Sequence, residues 1–274
     1  MQEKPVLEYQ DLRELPVSAL RQIIRDDQYT NHTAGLGSGF LQTNLAIMPQ
    51  EYALDFMRFC QRNPKPCPLV GVSETGDPRM PTLGDIDVRT DVPSFSIYRN
   101  GSLDDTVNNI KALWRNDLVA FAIGCSFTFE RALVQAGIAV RHIDENKTVP
   151  MYKTNIETTP AGNFGGGMVV SMRPIREADL QTVKTMCRQF PLAHGAPVHD
   201  GDPAAIGITA INKPDWGDPP TIRSGEVPVF WACGVTPQNA IMRARLPFCI
   251  SHTPGRMLIT DVPEDAEVPV LQAA

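Results

Sequence analysis

No stretch of this 274-residue chain approaches the ~20 consecutive apolar residues that a membrane-spanning helix needs. The opening segment, MQEKPVLEYQDL, lacks the apolar centre of a secretory signal peptide, so the expected location is the cytoplasm. No basic stripe offsets a formal net charge of −6, which argues against a nucleic-acid partner. None of the six cysteines stands in a C-x-x-C pair, so a zinc ribbon or thioredoxin-like motif is unsupported. Disulfides are not expected of a cytoplasmic chain. G-x-S-x-G is absent. The glycine run of NFGGGM has no Lys-Ser or Lys-Thr after it, so a flexible hairpin tip is a simpler reading than a phosphate cradle. No organic cofactor motif is visible. What remains, 42% hydrophobic and 20% charged residues, is an ordinary globular composition, long enough for one large core or two modest ones.

The chain is organised around LVAFAIGCSFTFERALVQAGIAVR, residues 118–141. Leu118 to Ile123 is a near-continuous apolar run, as expected of a strand buried on both faces. Gly124, Cys125 and Ser126 make the turn, and a helix follows with Ser126 as its expected N-cap and Gly137 as its stop. VPVFWACGVT repeats the design near the C-terminus, with Thr236 as N-cap and Pro237 at the first helical position. If the two strands lie in one mainly parallel sheet, both turns open onto the edge where such folds bind ligands.

Elsewhere, periodicity predicts helices over 16–29, from Pro49 through Cys60, over 106–114 and over 177–190. Strands are predicted at 42–48, 69–72, 95–98, 151–156, 168–172, 248–251 and 257–260, with a frayed tail from Val262. Three glycines between Gly35 and Gly39 forbid a helix and leave a mobile or close-packed loop. Residues 73–93 form a long loop of little regular structure. The fold expected is α/β: a three-layer α/β/α main domain, residues 1–145 and 205–274, with a smaller two-layer α/β domain, 146–204, inserted.

Polar residues useful in catalysis crowd between Glu130 and His252. His194 and His199 stand in HGAPVHDGDP beside Asp200 and Asp202, where carboxylates can tune an imidazole as acid or base. The same residues can equally serve a Gly/Pro-rich turn by bonding its backbone. A hard cation would find carboxylates there, yet nothing in the spacing requires a metal, and none is assigned. Cys125 at a helix N-terminus has the position of a nucleophile, or of a buried thiol that merely supports the turn. Arg99, Arg141 and Arg173, near strand ends, present forks suited to a carboxylate or to an ion pair.

AGLGSGFLQTNLAIMP, FCQRNPKPCPL, GCSFTFERAL, VPMYKTN, FPLAHGAPVH, GDPAAIGI, GEVPVFWACGVTPQNA and SHTPGRMLITD resemble, in this order, the bacterial putative hydro-lyase family, related to the D-glutamate cyclase family. The resemblance spans nearly the whole chain. It implies a three-layer α/β domain with a smaller two-layer one, and carbon–oxygen lyase activity, with dehydrating cyclisation of D-glutamate to 5-oxo-D-proline in view.

Loss of water from a small amino or hydroxy carboxylate needs a carboxylate holder, an acid and a base. Arg141, Arg173, Cys125, Ser126 and Thr236 are the candidates for holding substrate. His194, His199, Asp202, Glu130 and Glu226 are the candidates for acid and base. Two other readings stand beside this one: a non-catalytic carboxylate-binding module serving a separate enzyme, and a thiol-dependent amidohydrolase using Cys125. A homo-oligomer stays open.

Overall fold

A computed structural model describes residues 7–266. In chain order the main elements are α1 (Tyr9–Leu12), α2 (Val17–Arg25), β1 (Phe40–Pro49), α3 (Gln50–Arg62), β2 (Leu69–Val72), β3 (Phe95–Arg99), β4 (Ser102–Val107) and β5 (Leu118–Gly124). There follow α4 (Phe127–Gln135), α5 (Arg141–Asp144), β6 (Met151–Glu157), β7 (Gly167–Arg176), α6 (Leu180–Cys187), β8 (His199–Asp200), β9 (Glu226–Ala232), α7 (Val235–Ala244), β10 (Cys249–His252) and β11 (Leu258–Pro263).

The fold is mixed α/β built on two antiparallel sheets. One has the order β2-β5-β1-β10-β3-β4, with β11 also paired to β1; the other runs β6-β7-β9-β8. Every strand pair is antiparallel. The expected parallel pairing of the two apolar strands is therefore wrong on both counts, because β5 and β9 belong to different sheets. The segment from 205 onward does not return to the first sheet directly; it first completes the second sheet with β9 and rejoins the first only at β10.

The misreading has a physical cause. An apolar run signals burial on both faces, not strand direction. One face of the first sheet packs Leu45, Ile47, Ala120 and Ala122 against Met80, Leu83, Ile86, Val88 and Val92. The long 73–93 loop thus does the covering that a crossover helix would do. The other face, carrying Ala46, Met48, Phe121 and Ile123, receives Phe56, Phe59 and Cys60 from α3 and Ala240 and Ile241 from α7. Successive residues of one strand point to opposite faces, so β1 serves both cores.

The helices are exchanged between sheets. α4, which follows β5 of the first sheet, lays Phe129 and Leu133 on Ile175, Val229 and Trp231 of the second. α7, which follows β9 of the second sheet, lies in the first sheet's core. The two turns meet between them: Cys125 and Cys233 share one apolar cluster, and Asn44 Nδ2 donates to the carbonyls of Ile123 (3.2 Å) and Gly124 (2.9 Å) while a Cβ on Gly234 would collide with its amide. α4 ends in a Schellman motif, with Gly137 at φ +75 donating to Val134 and Ile138 to Leu133.

Other expectations need correction. Residues 106–114 hold the end of β4 and a short 3-10 turn, Lys111–Leu113, in place of a helix. The NFGGGM segment is no free tip, since Phe164 is buried against Phe56 of α3. Val262 is wholly buried in β11, so the chain is not frayed there; residues 267–274 of that expected tail lie outside the described residues.

Candidate active site

Glu130 occupies the first turn of α4 and is 1% exposed. Because α4 lies on the second sheet, the carboxylate faces β7. Arg173 of that strand donates to its Oε1 through Nε (3.0 Å) and through Nη2. The guanidinium also bonds Ser171 Oγ (3.1 Å) and Ser126 Oγ (3.0 Å) and sits over the rings of Phe129 and Trp231. His142 Nε2 of α5 lies 3.1 Å from the same Oε1. Burial by itself would raise the Glu130 pKa, but the adjacent His142 and the paired Arg173 outweigh it and hold the carboxyl below its ordinary value. Its other oxygen, Oε2, is buried without a hydrogen-bond partner.

Glu130 borders a cavity of about 280 Å³. Its walls include Gly35 to Gly39, Gln42 of β1, Tyr9 and Arg13 near the N-terminus, and Arg131. Gly35, Gly37 and Gly39 all have positive φ (74, 57 and 91), a conformation that side chains oppose. Tyr9 pins this loop by donating to Ala34 O (2.7 Å), and Gln42 Nε2 donates to Thr33 O (3.1 Å) and Leu36 O (2.8 Å).

The remaining predicted site residues divide into groups. Ser126 and Thr236 do not cap their helices: Ser126 accepts from Arg173, and Thr236 Oγ1 accepts from Val169 N at 3.0 Å. The cap positions are filled without side-chain bonds, since the turns are closed by packing against Asn44 and each other. Neither residue lines the cavity beside Glu130. Arg141 and Glu226 meet in a 2.5 Å ion pair on a separate pocket of about 370 Å³, so each already has its charge matched. His194 is buried, bonded to Lys65 O at 2.8 Å, and burial pulls its pKa down to about 4. His199 bonds Asp202 O (2.7 Å), while the Asp202 carboxylate accepts from Ala204 N (2.9 Å), which makes this loop a locally satisfied turn. Asp200 pairs with Lys184. Cys125 is buried and its thiol pKa is pushed well up by burial, the condition of a packed cysteine and not a nucleophile. Among the described residues, no group of three or more His, Cys, Asp or Glu side chains is placed to hold a metal ion, and no helix is long and apolar enough to cross a membrane.

Of the ten predicted positions, the Glu130 cluster thus gathers Glu130, Arg173 and Ser126. Sequence reasoning counted His142 among the histidines between Glu130 and His252 without giving it a role, and missed Gln42, Arg13, Arg131 and Tyr9. One signal was present: the strand FLQTNLAIMP carries three consecutive polar residues, Gln42, Thr43 and Asn44, all buried.

Residues 119–261, more than half of the chain, match the family model described as D-glutamate cyclase. The chain belongs to this D-glutamate cyclase family. Its relatives include proteins named "Putative hydro-lyase" from Dinoroseobacter shibae (63% identical over 96% of this chain and 88% of that one) and Ruegeria pomeroyi (61%, covering 97% of each). A third, of the same name, comes from a Jannaschia species (60%, covering 93% and 97%). The family match includes α4 with Glu130 and β7 with Arg173, whereas the glycine loop and Gln42 precede it. A nitrogen repressor-like protein from Methanococcus jannaschii superposes at a TM-score of 0.37 and 11% identity over 84% of this chain and 90% of that one; likeness at that level assigns neither fold nor function.

Proposed function

We propose that the chain is a hydro-lyase that removes water from a small amino or hydroxy carboxylate in the cavity beside Glu130. Dehydrating cyclisation of D-glutamate to 5-oxo-D-proline is the reaction to test first. The observation that supports this is the Glu130 carboxylate itself, anchored through one oxygen and unpartnered at the other, on the wall of a cavity large enough for a small metabolite.

In that reaction the amine attacks the side-chain carboxyl carbon, a carbon–nitrogen bond forms and one carbon–oxygen bond breaks. On becoming an amide N–H the ammonium gives up two protons, and the departing carboxylate oxygen takes up two to leave as water; Glu130 relays them in turn from the nitrogen to that oxygen, so the proton balance closes within the site. Arg13 on the cavity wall is the first candidate for holding the substrate carboxylate; Arg131 there lies 3.6 Å from Glu264, and Arg141 is closely paired with Glu226. Purified protein, with and without divalent metals, is incubated with D-glutamate and a panel of small amino and hydroxy acids, and loss of water is followed by mass spectrometry. Glu130→Gln is expected to lower turnover by about 100-fold or more. No product from any member of the panel would sink the reading.

One observation favours a second reading. A carboxylate held below its ordinary pKa by Arg173 and the adjacent His142 is a good ammonium anchor but a weak base. A ligand that raises the melting temperature and is recovered unchanged would identify a carboxylate-binding module.

A further inference from the structure

Two acceptors on this cavity lack donors. Glu130 Oε2 and Gln42 Oε1 are each buried without a hydrogen-bond partner, and both residues, 1% and 3% exposed, line the same 280 Å³ space. Buried polar atoms are almost always satisfied in the working molecule, by protein, water or ligand. The orientation of the Gln42 amide is chemically determined. Its nitrogen faces the carbonyls of Thr33 and Leu36, which can only accept, so the other end of the amide must be the oxygen. Gln42 therefore cannot rotate to become a donor without releasing the glycine loop. Its backbone is tied in turn to the helix that carries Glu130, since Gln42 N donates to Thr128 Oγ1 at 3.2 Å. One neutral and one anionic acceptor, both fixed, are thereby held on one cavity with nothing to accept from.

We propose that Gln42 is a specificity-determining residue: its amide oxygen, fixed as an acceptor by the glycine loop, takes a hydrogen bond from the ligand's ammonium group while Glu130 Oε2 takes another. The inference rests on placing the site as in the functional reading above, but it concerns recognition and holds whether or not water is lost. An ammonium supplies three donors and a positive charge. A hydroxyl supplies one donor and satisfies only one of the two acceptors. A methylene supplies none and leaves both unsatisfied. The same amide joins recognition to the loop, because one end holds Thr33 and Leu36 and the other meets the ligand. Occupancy should therefore slow amide exchange across residues 33–40.

Titration calorimetry of the full chain with three matched probes tests this: D-glutamate, D-2-hydroxyglutarate and glutarate. Affinity is expected to fall in that order, with about tenfold or more between the first and the last. Gln42→Met, which keeps the bulk and removes the amide, should weaken D-glutamate by about tenfold and leave glutarate nearly unchanged. Hydrogen exchange at 33–40 should slow with D-glutamate and not with glutarate. Equal binding of all three probes by the unaltered protein, which would mean that water alone satisfies the two oxygens, overturns the proposal. So does binding of none of them, or a Gln42→Met variant that weakens all three alike. The comparison of probes needs no variant, so it decides the matter even if Gln42→Met does not fold. Ordered binding without turnover removes the hydro-lyase reading and keeps Gln42; turnover with unordered binding does the reverse.

Discussion

The molecule contains the same local device twice, and only one copy borders a ligand-sized cavity with an unpartnered oxygen. In each, an apolar strand turns into a helix whose early threonine bonds a neighbouring strand: Thr128 Oγ1 accepts from Gln42 N, and Thr236 Oγ1 accepts from Val169 N. Two residues later each helix sends a polar side chain across to the opposite sheet. From α4 it is Glu130, reaching Arg173 of β7; from α7 it is Gln238, whose Nε2 donates to Ser251 Oγ (2.8 Å) and His252 O (2.7 Å) of β10. Carboxylate against amide is the whole chemical difference at that position. The amide is content with neutral partners in a closed interior. The carboxylate needs an arginine and a histidine, and still has one buried oxygen without a hydrogen-bond partner.

This contrast can be broken most forcefully at the charged copy. Arg173→Met leaves the Glu130 charge buried with one cationic neighbour fewer, and should cost roughly 3–5 kcal/mol in equilibrium urea unfolding. A loss below about 1 kcal/mol would mean that the charge is not there to be stranded. Next in size is a pH effect centred on the neutral copy. Burial pulls His252, and His194 elsewhere, down to about 4. As pH drops below ~6.5 the unfolded chain takes up protons that these folded imidazoles refuse, so stability falls until about pH 4, by up to roughly 3 kcal/mol per histidine. His252→Asn should remove its share of that slope, while Glu130→Gln should leave the window between pH 6.5 and 5 unaltered, because its carboxyl titrates below it. Smaller again, Gln238→Leu should cost about 1 kcal/mol by removing the amide's bonds to Ser251 Oγ and to the His252 carbonyl, which Ser251 Oγ still serves (2.9 Å), without changing the affinity for D-glutamate. A loss of ligand binding there would erase the distinction between the copies. Cys125→Ala, in the turn of the charged copy, should cost only about 1 kcal/mol and keep full activity, with iodoacetamide failing to label the native thiol. Fast labelling and lost activity would restore the thiol mechanism.

Local order was largely legible in the residues. Apolar spacing located β5, β9, α3 and α6, and Gly137 marked the end of α4, because period and backbone freedom act within one turn or strand. Pairing was not. β5 and β9 carry similar apolar runs, and nothing within either run tells which sheet holds it; the exchange of helices decides that, through contacts many residues apart. Of the site, Glu130 and Arg173 were identifiable as useful residue types, but their meeting across 43 positions depends on which strand α4 rests upon. The HGAPVHDGDP loop drew attention for its chemistry, but His199 and Asp202 are engaged with the loop's own backbone, His194 with the Lys65 carbonyl and Asp200 with Lys184. Gln42 escaped notice because a glutamine in a strand reads as an edge or a surface, whereas here its partners are loop carbonyls a few residues earlier in the chain.

The exchanged helices also bear on how the chain is made. β5 emerges from a ribosome more than 100 residues before α7, which covers its sheet, and before β10 and β11, which pair with β1 within it. The second sheet, though its strands are contiguous to 232, rests on α4 from the earlier half. Neither sheet is therefore a unit that can fold while the other is awaited, and the nascent chain must carry exposed apolar strands until β10 and β11 have been made, a state that invites chaperone capture.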